Sequence, residues 1–279
     1  MLPIVLLFAE WVTDADLAKA ARDAELRKLD LSHTAITDIG LENLKPVTGL
    51  RELNLYFAEH ITDDGIANLA GMRDLEVLNL HGTRVTSKVF DHLAKLPNLR
   101  WLDLGHTQID DEGFDFLAGL TKLEHLAIGG NRLTGACLAQ LKVLPALRSL
   151  DVGGIQRVDS GLWGLALNEQ NLRRLGELTA LRRLSLARAT INDRGADRPG
   201  NPEAERSELR DLSLLAALEH LEYLDLTRQP VTAETLRSLA GMKALRELRL
   251  GLVKDANEAD IPKLPSLRKI YMNGSWITK

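Results

Sequence analysis

The stretch LRELNLYFAEHITDDGIANLAGMRD, residues 50–74, is one copy of a pattern that repeats along the chain. The preceding copy is LRKLDLSHTAITDIGLENLKPVTG at 26–49, and the following copy is LEVLNLHGTRVTSKVFDHLAKLPN at 75–98. Eleven copies open in turn at Leu2, Leu26, Leu50, Leu75, Leu99, Leu123, Leu147, Leu181, Leu221, Leu245 and Leu267. Because such repeats stack on one another, we predict a single repeat domain that spans residues 1–279.

Each copy follows the pattern LxxLxLxxTx(I/V)TDxGLxxLxxLxx. The alternation in LxxLxL predicts a short strand with one buried face. The threonine in the ninth position, as in Thr34, Thr83 and Thr107, is placed to satisfy backbone groups in the turn. The Thr-Asp pair offers a helix N-cap, and the leucines three apart that follow it give a helical segment one buried stripe. Each unit is therefore a strand, a turn, a helix and a turn.

Composition excludes several classes of function. Leucine supplies 56 of the 279 residues, whereas Phe, Trp and Tyr together supply 12. A net charge of −4 argues against a general nucleic-acid binder, which carries a broad positive field. The single cysteine, Cys137, excludes a disulfide framework and a cysteine-based zinc site. No apolar stretch approaches the roughly 20 residues that span a bilayer, so we expect no membrane partner either.

The repeats resemble the leucine-rich repeat family over residues 2–278. The TDxGL element, TDIGL at 37–41 and TDDGI at 62–66, is similar to the bacterial and cysteine-containing subclasses of the ribonuclease-inhibitor-like superfamily, although Thr or Gly stands where the latter carry cysteine. The resemblance implies an α/β solenoid of about 11 repeats shaped as a curved horseshoe, with a parallel β-sheet on the concave face and short helices on the convex face. It also implies an interaction module, whose partner the family does not specify.

Two repeats, at 147–180 and 181–220, exceed the common period by ten and sixteen residues. In the first, SGLWGLALNEQNLRRLGEL at 160–178 predicts a lengthened helix. In the second, DRPGNPEAERSELR at 197–210 predicts an exposed loop, because it is rich in Pro, Gly and charge. Insertions of this kind are often functional in solenoids, but long surface loops also cost little stability. Both interpretations of the loop stand.

Positions that flank the buried leucines of a strand project outward and form two candidate patches for a protein partner. The first gathers Tyr56, His81, Trp101, Asp103, His106 and His125, and the second is basic, with Arg183, Arg188, Arg228 and Arg249 at its centre. Exposed Trp and Tyr on a rigid sheet are favourable binding residues, and arginine offers a planar fork to carboxylates and phosphates. The alternative is that both patches are ordinary solvated faces.

The sequence predicts no catalytic chemistry, no cofactor and no metal. His81 and His106 are expected to be neighbours, but His125 is expected at the other end of its strand, too far away for shared metal ligation. Cys137 falls on the helical side without an obvious base partner. The P-loop, GxSxG and GxGxxG motifs are absent from the sequence. We therefore predict a non-enzymatic scaffold that binds a protein on its concave face.

The two ends of the sequence leave alternatives open. The first copy places Ile4, Leu6 and Phe8 at outward positions with Trp11 nearby, and the last copy stops at SWITK before any helix. One alternative is that the chain is a fragment of a longer protein, for example its regulatory recognition segment. Another is that the chain is a self-assembling protein whose uncapped strand pairs with a second copy. A degenerate signal peptide ranks last, so the cytoplasm is the expected location, with secretion the alternative if an N-terminal leader is missing.

Overall fold

The computed structural model describes residues 4–6, 12–23, 25–158, 161–189, 211–251, 253 and 257–278. The chain divides into two compact units, one formed by Met1–Ala127 with Val143–Leu147 and the other by Ile128–Lys142 with Arg148–Lys279. The expectations for Phe8, Trp11 and the 197–210 loop lie outside the described residues. The single-domain assignment stays a prediction.

Short parallel strands, one from each repeat, form the sheet of the first unit. They are β1 (Ile4–Leu6), β2 (Lys28–Asp30), β3 (Glu52–Asn54), β4 (Val77–Asn79), β5 (Trp101–Asp103) and β6 (His125–Ala127), paired in chain order. Equivalent leucines are register partners in neighbouring strands, as Leu29 is paired with Leu53. The central leucine of each strand from β2 to β6 is buried, so the predicted alternation is confirmed.

Helical segments return the chain from one strand to the next. In the first unit they are α1 (Asp14–Ala20), α2 (Asp38–Glu42), α3 (Asp63–Ala67), α4 (Val89–Leu93) and the 3-10 helix Phe114–Gly119. Each of these segments packs against the next. The predicted stripes of Leu41, Leu44 and Val47 and of Phe114, Leu117 and Leu120 are buried, which confirms that leucines three apart line the core.

The second unit continues the same repeat. Its strands are β7 (Ser149–Asp151), β8 (Gln156–Val158), β9 (Gly161–Trp163), β10 (Arg183–Ser185), β11 (Tyr223–Leu226), β12 (Glu247–Leu250), β13 (Lys269–Met272) and β14 (Ser275–Thr278). β7, β10, β11, β12 and β13 pair in parallel in that order. The helices are α5 (Glu169–Gly176) and α6 (Ala233–Ser238), with 3-10 helices at Ala136–Val143, Ser213–Leu215, Leu239–Gly241 and Glu258–Asp260.

The last strand runs in the opposite direction to the strand beside it. β14 pairs with β13 in antiparallel register, with Tyr271 opposite Trp276. The turn between them is Asn273-Gly274, whose φ angles are 50° and 84°. Asn-Gly is the preferred two-residue turn of a hairpin because both residues adopt positive φ at little cost. The repeat pattern did not predict this strand.

The prediction of one lengthened helix at 160–178 is wrong. β8 and β9 form an antiparallel pair instead, and α5 begins only at Glu169. Asn168 ends the extended segment because its side chain accepts a hydrogen bond from the Asn171 amide at 2.8 Å, which is an N-cap. Leu165 and Leu167 are buried but not helical. Their apolar spacing therefore resembled the buried stripe of a helix although the segment is not one.

The ninth-position threonines behave as predicted. The hydroxyls of Thr34, Thr83 and Thr107 donate to the carbonyl oxygens of the residues three before them, at 2.7, 2.7 and 2.9 Å. All three side chains are buried, so each turn keeps its polar groups satisfied inside the core.

The Thr-Asp pairs bond between repeats as well as within them. Asp38 accepts hydrogen bonds from the amide and the hydroxyl of Thr62 in the next repeat, at 2.9 and 2.6 Å. The pairs Asp14–Thr37 and Asp63–Thr86 do the same. A Cβ atom at Gly65 would lie 2.2 Å from Oδ1 of Asp38, so this position has no room for a side chain. In TDxGL, the Thr and the Asp thus hydrogen-bond between neighbouring repeats, and the Gly leaves space for the carboxylate.

Removing one of these carboxylates should weaken the stacking of the repeats. We expect Asp38→Ala to lower the free energy of unfolding by about 1.5 kcal/mol, because two hydrogen bonds to a charged acceptor are lost. Urea denaturation followed by circular dichroism measures the change. Asp74→Ala is the matched control, since Asp74 is exposed. Equal effects of the two substitutions would show that the inter-repeat bonds contribute no stability.

Within the described part of the chain, no helix has the length and apolar character to cross a membrane.

Candidate functional site

The exposed side of β2–β6, here called the first sheet face, carries the first predicted patch. Side chains in the fifth position of its repeats accept hydrogen bonds from backbone amides just beyond each strand. Asn54 accepts from the Tyr56 amide at 3.1 Å, Asn79 from the His81 amide at 3.0 Å, and Asp103 from the Gly105 amide at 2.7 Å. Asp103 therefore fixes the local backbone, and it also lies 3.4 Å from Nδ1 of His81.

A contiguous cluster of rings lies where β2–β5 end, and we call it the ring cluster. Its members are His33, Tyr56, Phe57, His81 and His106. His81 is central, with ring centroids 5.0 Å from Tyr56, 5.4 Å from Phe57 and 4.9 Å from His106. The predicted proximity of His81 and His106 is confirmed. Neighbouring rings restrict one another, so the cluster presents a fixed aromatic surface at low entropic cost.

Sequence reasoning missed His33 and Phe57, although a signal for them was present. Both occupy the eighth position of their repeats, with φ angles of 56° and 53°, and His106 has 52°. The equivalent residues of several other repeats are glycines with positive φ, namely Gly82, Gly130 and Gly154. A non-glycine residue in this conformation carries a backbone cost and often marks a functional site. A histidine or phenylalanine in a position that several other repeats fill with glycine is that signal.

Trp101 and His125 form a separate pair at the opposite end of the strands. Their rings stack with centroids 5.0 Å apart and planes at 4°. The third and seventh positions of a strand are about 13 Å apart, so the predicted patch is divided between the two ends of the first sheet face. Among the described residues no three histidine, cysteine or acidic side chains are placed to hold a metal ion.

A groove of about 460 Å³ lies on the first sheet face beside Trp101. It is lined by Lys28, Leu29, Asp30, Glu52, Leu53, Asn54, Val77, Asn79 and Trp101. Val77 and Trp101 supply apolar surface, while the Lys28–Glu52 ion pair and the carboxamides supply polar contacts. A groove of this composition suits an apolar side chain of a partner together with its polar backbone.

The second unit brings two of the four predicted arginines together. The guanidinium of Arg183 lies 3.9 Å from the centroid of the Tyr223 ring, and that of Arg249 lies 5.5 Å from Tyr223 and 5.1 Å from Trp276. We call these four residues the arginine–aromatic ladder. Trp276 was missed because only the antiparallel return of β14 places it there. Both guanidinium groups are within the distance at which a cation is attracted to the face of an aromatic ring.

Arg188 and Arg228 do not join the ladder contacts. Both are exposed residues in the eighth position, with φ angles of 56° and 63°, where the strands β10 and β11 turn. They belong to adjacent repeats, and the Arg188 amide donates to the carbonyl of Thr227 at 3.0 Å. Like His33 and Phe57, they hold a conformation that favours glycine.

Tyr223 has an ionisation behaviour that can be tested. Burial raises the pKa of its phenol above the usual range, and the nearby Asp225 carboxylate, which accepts a hydrogen bond from the hydroxyl at 3.0 Å, raises it further. An unfolded chain would ionise this group near pH 10, about its ordinary pKa, so the resulting stabilisation is complete below that pH and is lost as the pH rises through the folded pKa.

We therefore expect Tyr223 to keep its proton at about pH 11 in the folded protein. Ultraviolet difference spectra of the wild type and Tyr223→Phe should show equal phenolate absorbance at that pH. In Asp225→Asn the repulsion is gone, and the phenolate of Tyr223 should appear at lower pH. A loss of one phenolate from the Tyr223→Phe spectrum would contradict the expected shift.

The described residues show no arrangement for covalent chemistry. Cys137 is fully buried and packs in the core, where a substrate does not reach it.

Strand-and-helix repeats with buried leucines at fixed positions define a leucine-rich repeat solenoid. A family model described as Leucine Rich repeat matches residues 25–45 and 95–118. The fold is similar to that of an internalin (inlF) from Listeria monocytogenes str. 4b F2365, with a TM-score of 0.53 and 19% identity over 94% of this chain and 76% of that one. An internalin C2 (inlC2) from the same strain gives a TM-score of 0.47 and 23% identity, over 94% of this chain and 84% of that one. No curated protein matches the sequence.

Proposed function

We propose that this chain is a non-enzymatic scaffold that binds a protein partner on its first sheet face. Leucine-rich repeat folds generally mediate protein–protein interaction. The observation that carries the proposal for this chain is the groove beside the stacked Trp101–His125 pair, with the ring cluster at the other end of the same strands. As part of the same proposal, the TDxGL element assigns the repeats to the bacterial, ribonuclease-inhibitor-like subclass.

The site favours recognition because its side chains are held before a partner arrives. The fifth-position Asn and Asp residues fix the backbone beyond the strands, and the rings restrict one another. Large rigid side chains in a preorganised setting lose little entropy on binding and supply most of the energy of an interface. A partner would place an apolar side chain in the groove and pack across the ring cluster.

Affinity capture from a lysate of the source organism tests the proposal. The wild-type chain should retain a protein that the Tyr56→Ala/Trp101→Ala double variant loses. Both substituted residues are half-exposed, so circular dichroism of the double variant should match that of the wild type. A partner retained equally by both proteins would remove the first sheet face from consideration. Recovery of the chain alone would favour the self-assembling alternative.

A further inference from the structure

Three arginines on and beside the strands of the second unit have no acidic partner among the described residues. Among the residues that the structure describes, no carboxylate lies within ion-pair distance of Arg183, Arg188 or Arg228. Arginines at the start of the same strands behave differently, since Arg182 and Arg246 both pair with Glu222. Of the outward-facing arginines, Arg249 has an acidic partner in Glu247, whereas Arg183 has none among the described residues.

The acidic residues next to the ladder already have partners. Glu247 accepts a hydrogen bond from Nε of Arg249 at 2.9 Å. Asp225 accepts one from the Tyr223 hydroxyl at 3.0 Å and one from the Thr227 amide at 2.8 Å. Neither carboxylate neutralises Arg183, so among the described residues no acidic group occupies its donors.

Aromatic contact prepares these arginines for a ligand. The Arg183 guanidinium lies over the Tyr223 ring, and Arg249 lies near both Tyr223 and Trp276, which is 49% exposed. A stacked guanidinium keeps its edge free, and that edge matches the two oxygens of a carboxylate. Stacking also restricts the side chain in advance, so less entropy is lost when the hydrogen bonds form.

The charged surface has the length of a short extended peptide. Arg183 is in the third position of its repeat and Arg188 is in the eighth, beyond the end of β10, so the two are separated by at most about 16 Å. Arg228 lies in the next repeat at the same level as Arg188. An extended peptide rises about 3.3 Å per residue, so roughly five residues cover this distance.

We propose that the arginine–aromatic ladder, with Arg188 and Arg228, binds an extended acidic peptide segment of the protein partner. The inference rests on the proposed function. It adds that the partner carries an acidic segment, which binds to the second unit and not to the first sheet face. A protein segment is favoured over a nucleic acid because Asp225 and Glu247 stand among the arginines and would repel a continuous phosphate backbone. The net charge of −4 points the same way.

Fluorescence anisotropy of a fluorescein-labelled peptide of alternating glutamate and serine tests the proposal on the full chain. The wild type should bind this peptide and release it as salt is added, because the attraction is electrostatic. Arg183→Gln should weaken binding about tenfold, since a charge-assisted hydrogen bond is lost. Arg173→Gln is the matched control, because it removes the same charge from an exposed position of α5. It should change the affinity by less than about twofold.

Three outcomes would overturn the inference: no binding of the acidic peptide by the wild type, equal effects of Arg183→Gln and Arg173→Gln, or preferential binding of a single-stranded oligonucleotide. The proposed function stands or falls separately. A captured partner that depends on Tyr56 and Trp101 supports it even when the acidic peptide does not bind. Peptide binding without such a partner would leave the ladder as a site and reject the first sheet face.

Discussion

Replacing Gly129 with alanine is expected to lower the free energy of unfolding by about 3 kcal/mol, because the new methyl group has no space. A Cβ atom at Gly129 would lie 1.5 Å from the carbonyl oxygen of Gly153 and 2.6 Å from its carbonyl carbon. Both neighbours are backbone atoms, so no side-chain rotation relieves the clash. The strands must separate here, next to the hydrogen bond from the Ile128 amide to the Asp151 carbonyl at 2.8 Å.

Gly71→Ala provides the matched control for this substitution. Gly71 has no atom within 4 Å of its would-be Cβ, and it lies in a turn. We expect this variant to keep the stability of the wild type to within about 0.5 kcal/mol. Thermal and urea denaturation of the two variants measure the difference. Equal stability of both would mean that the close approach of the seventh-position backbones does not require glycine.

Trp101→Ala should lower the affinity for the captured partner by about 2 kcal/mol, which corresponds to roughly thirtyfold in Kd. Trp101 forms one wall of the groove and supports the ring of His125 by stacking. Truncation removes the largest apolar surface of the site and frees the histidine that the partner would meet. Isothermal titration calorimetry with the purified partner measures the loss.

Phe116→Ala is the control for the affinity measurement. Phe116 is an aromatic residue of the same unit, 50% exposed, but it lies in the 3-10 helix Phe114–Gly119 rather than on a strand. Its truncation should leave the affinity unchanged to within about 0.5 kcal/mol. A loss of affinity in Phe116→Ala that equals the loss in Trp101→Ala would place the partner away from the first sheet face.

Sequence reasoning was most successful where a single residue type fills one position of every repeat. The buried strand leucines, the core threonines and the helical stripes all follow from a periodic need to fill and satisfy the core. It was least successful where backbones approach each other. The seventh-position glycines Gly105 and Gly129 stand at positions that alternation predicts to face outward, yet both are buried, because the His81 ring packs on Gly105 and the Gly153 backbone packs on Gly129.

The candidate sites were only partly predictable for a similar reason. Outward positions on the strands could be assigned by alternation, which placed Trp101 on β5, whereas Tyr56 and His81 lie just beyond the ends of β3 and β4. Residues beyond the strands depend on turn conformation, so Phe57 at positive φ was missed. Trp276 depends on a strand that breaks the repeat, and a pattern search for further repeats does not find it.

Site-specific photo-crosslinking tests the central claim most directly. A benzophenone amino acid is introduced at Val77, which lines the groove on β4, and separately at Phe116, which lies on a helical segment. Each protein is irradiated with the partner present. The account predicts an adduct from position 77 and none from position 116. Adducts from position 116 alone, or equal yields from both positions, would contradict binding on the first sheet face.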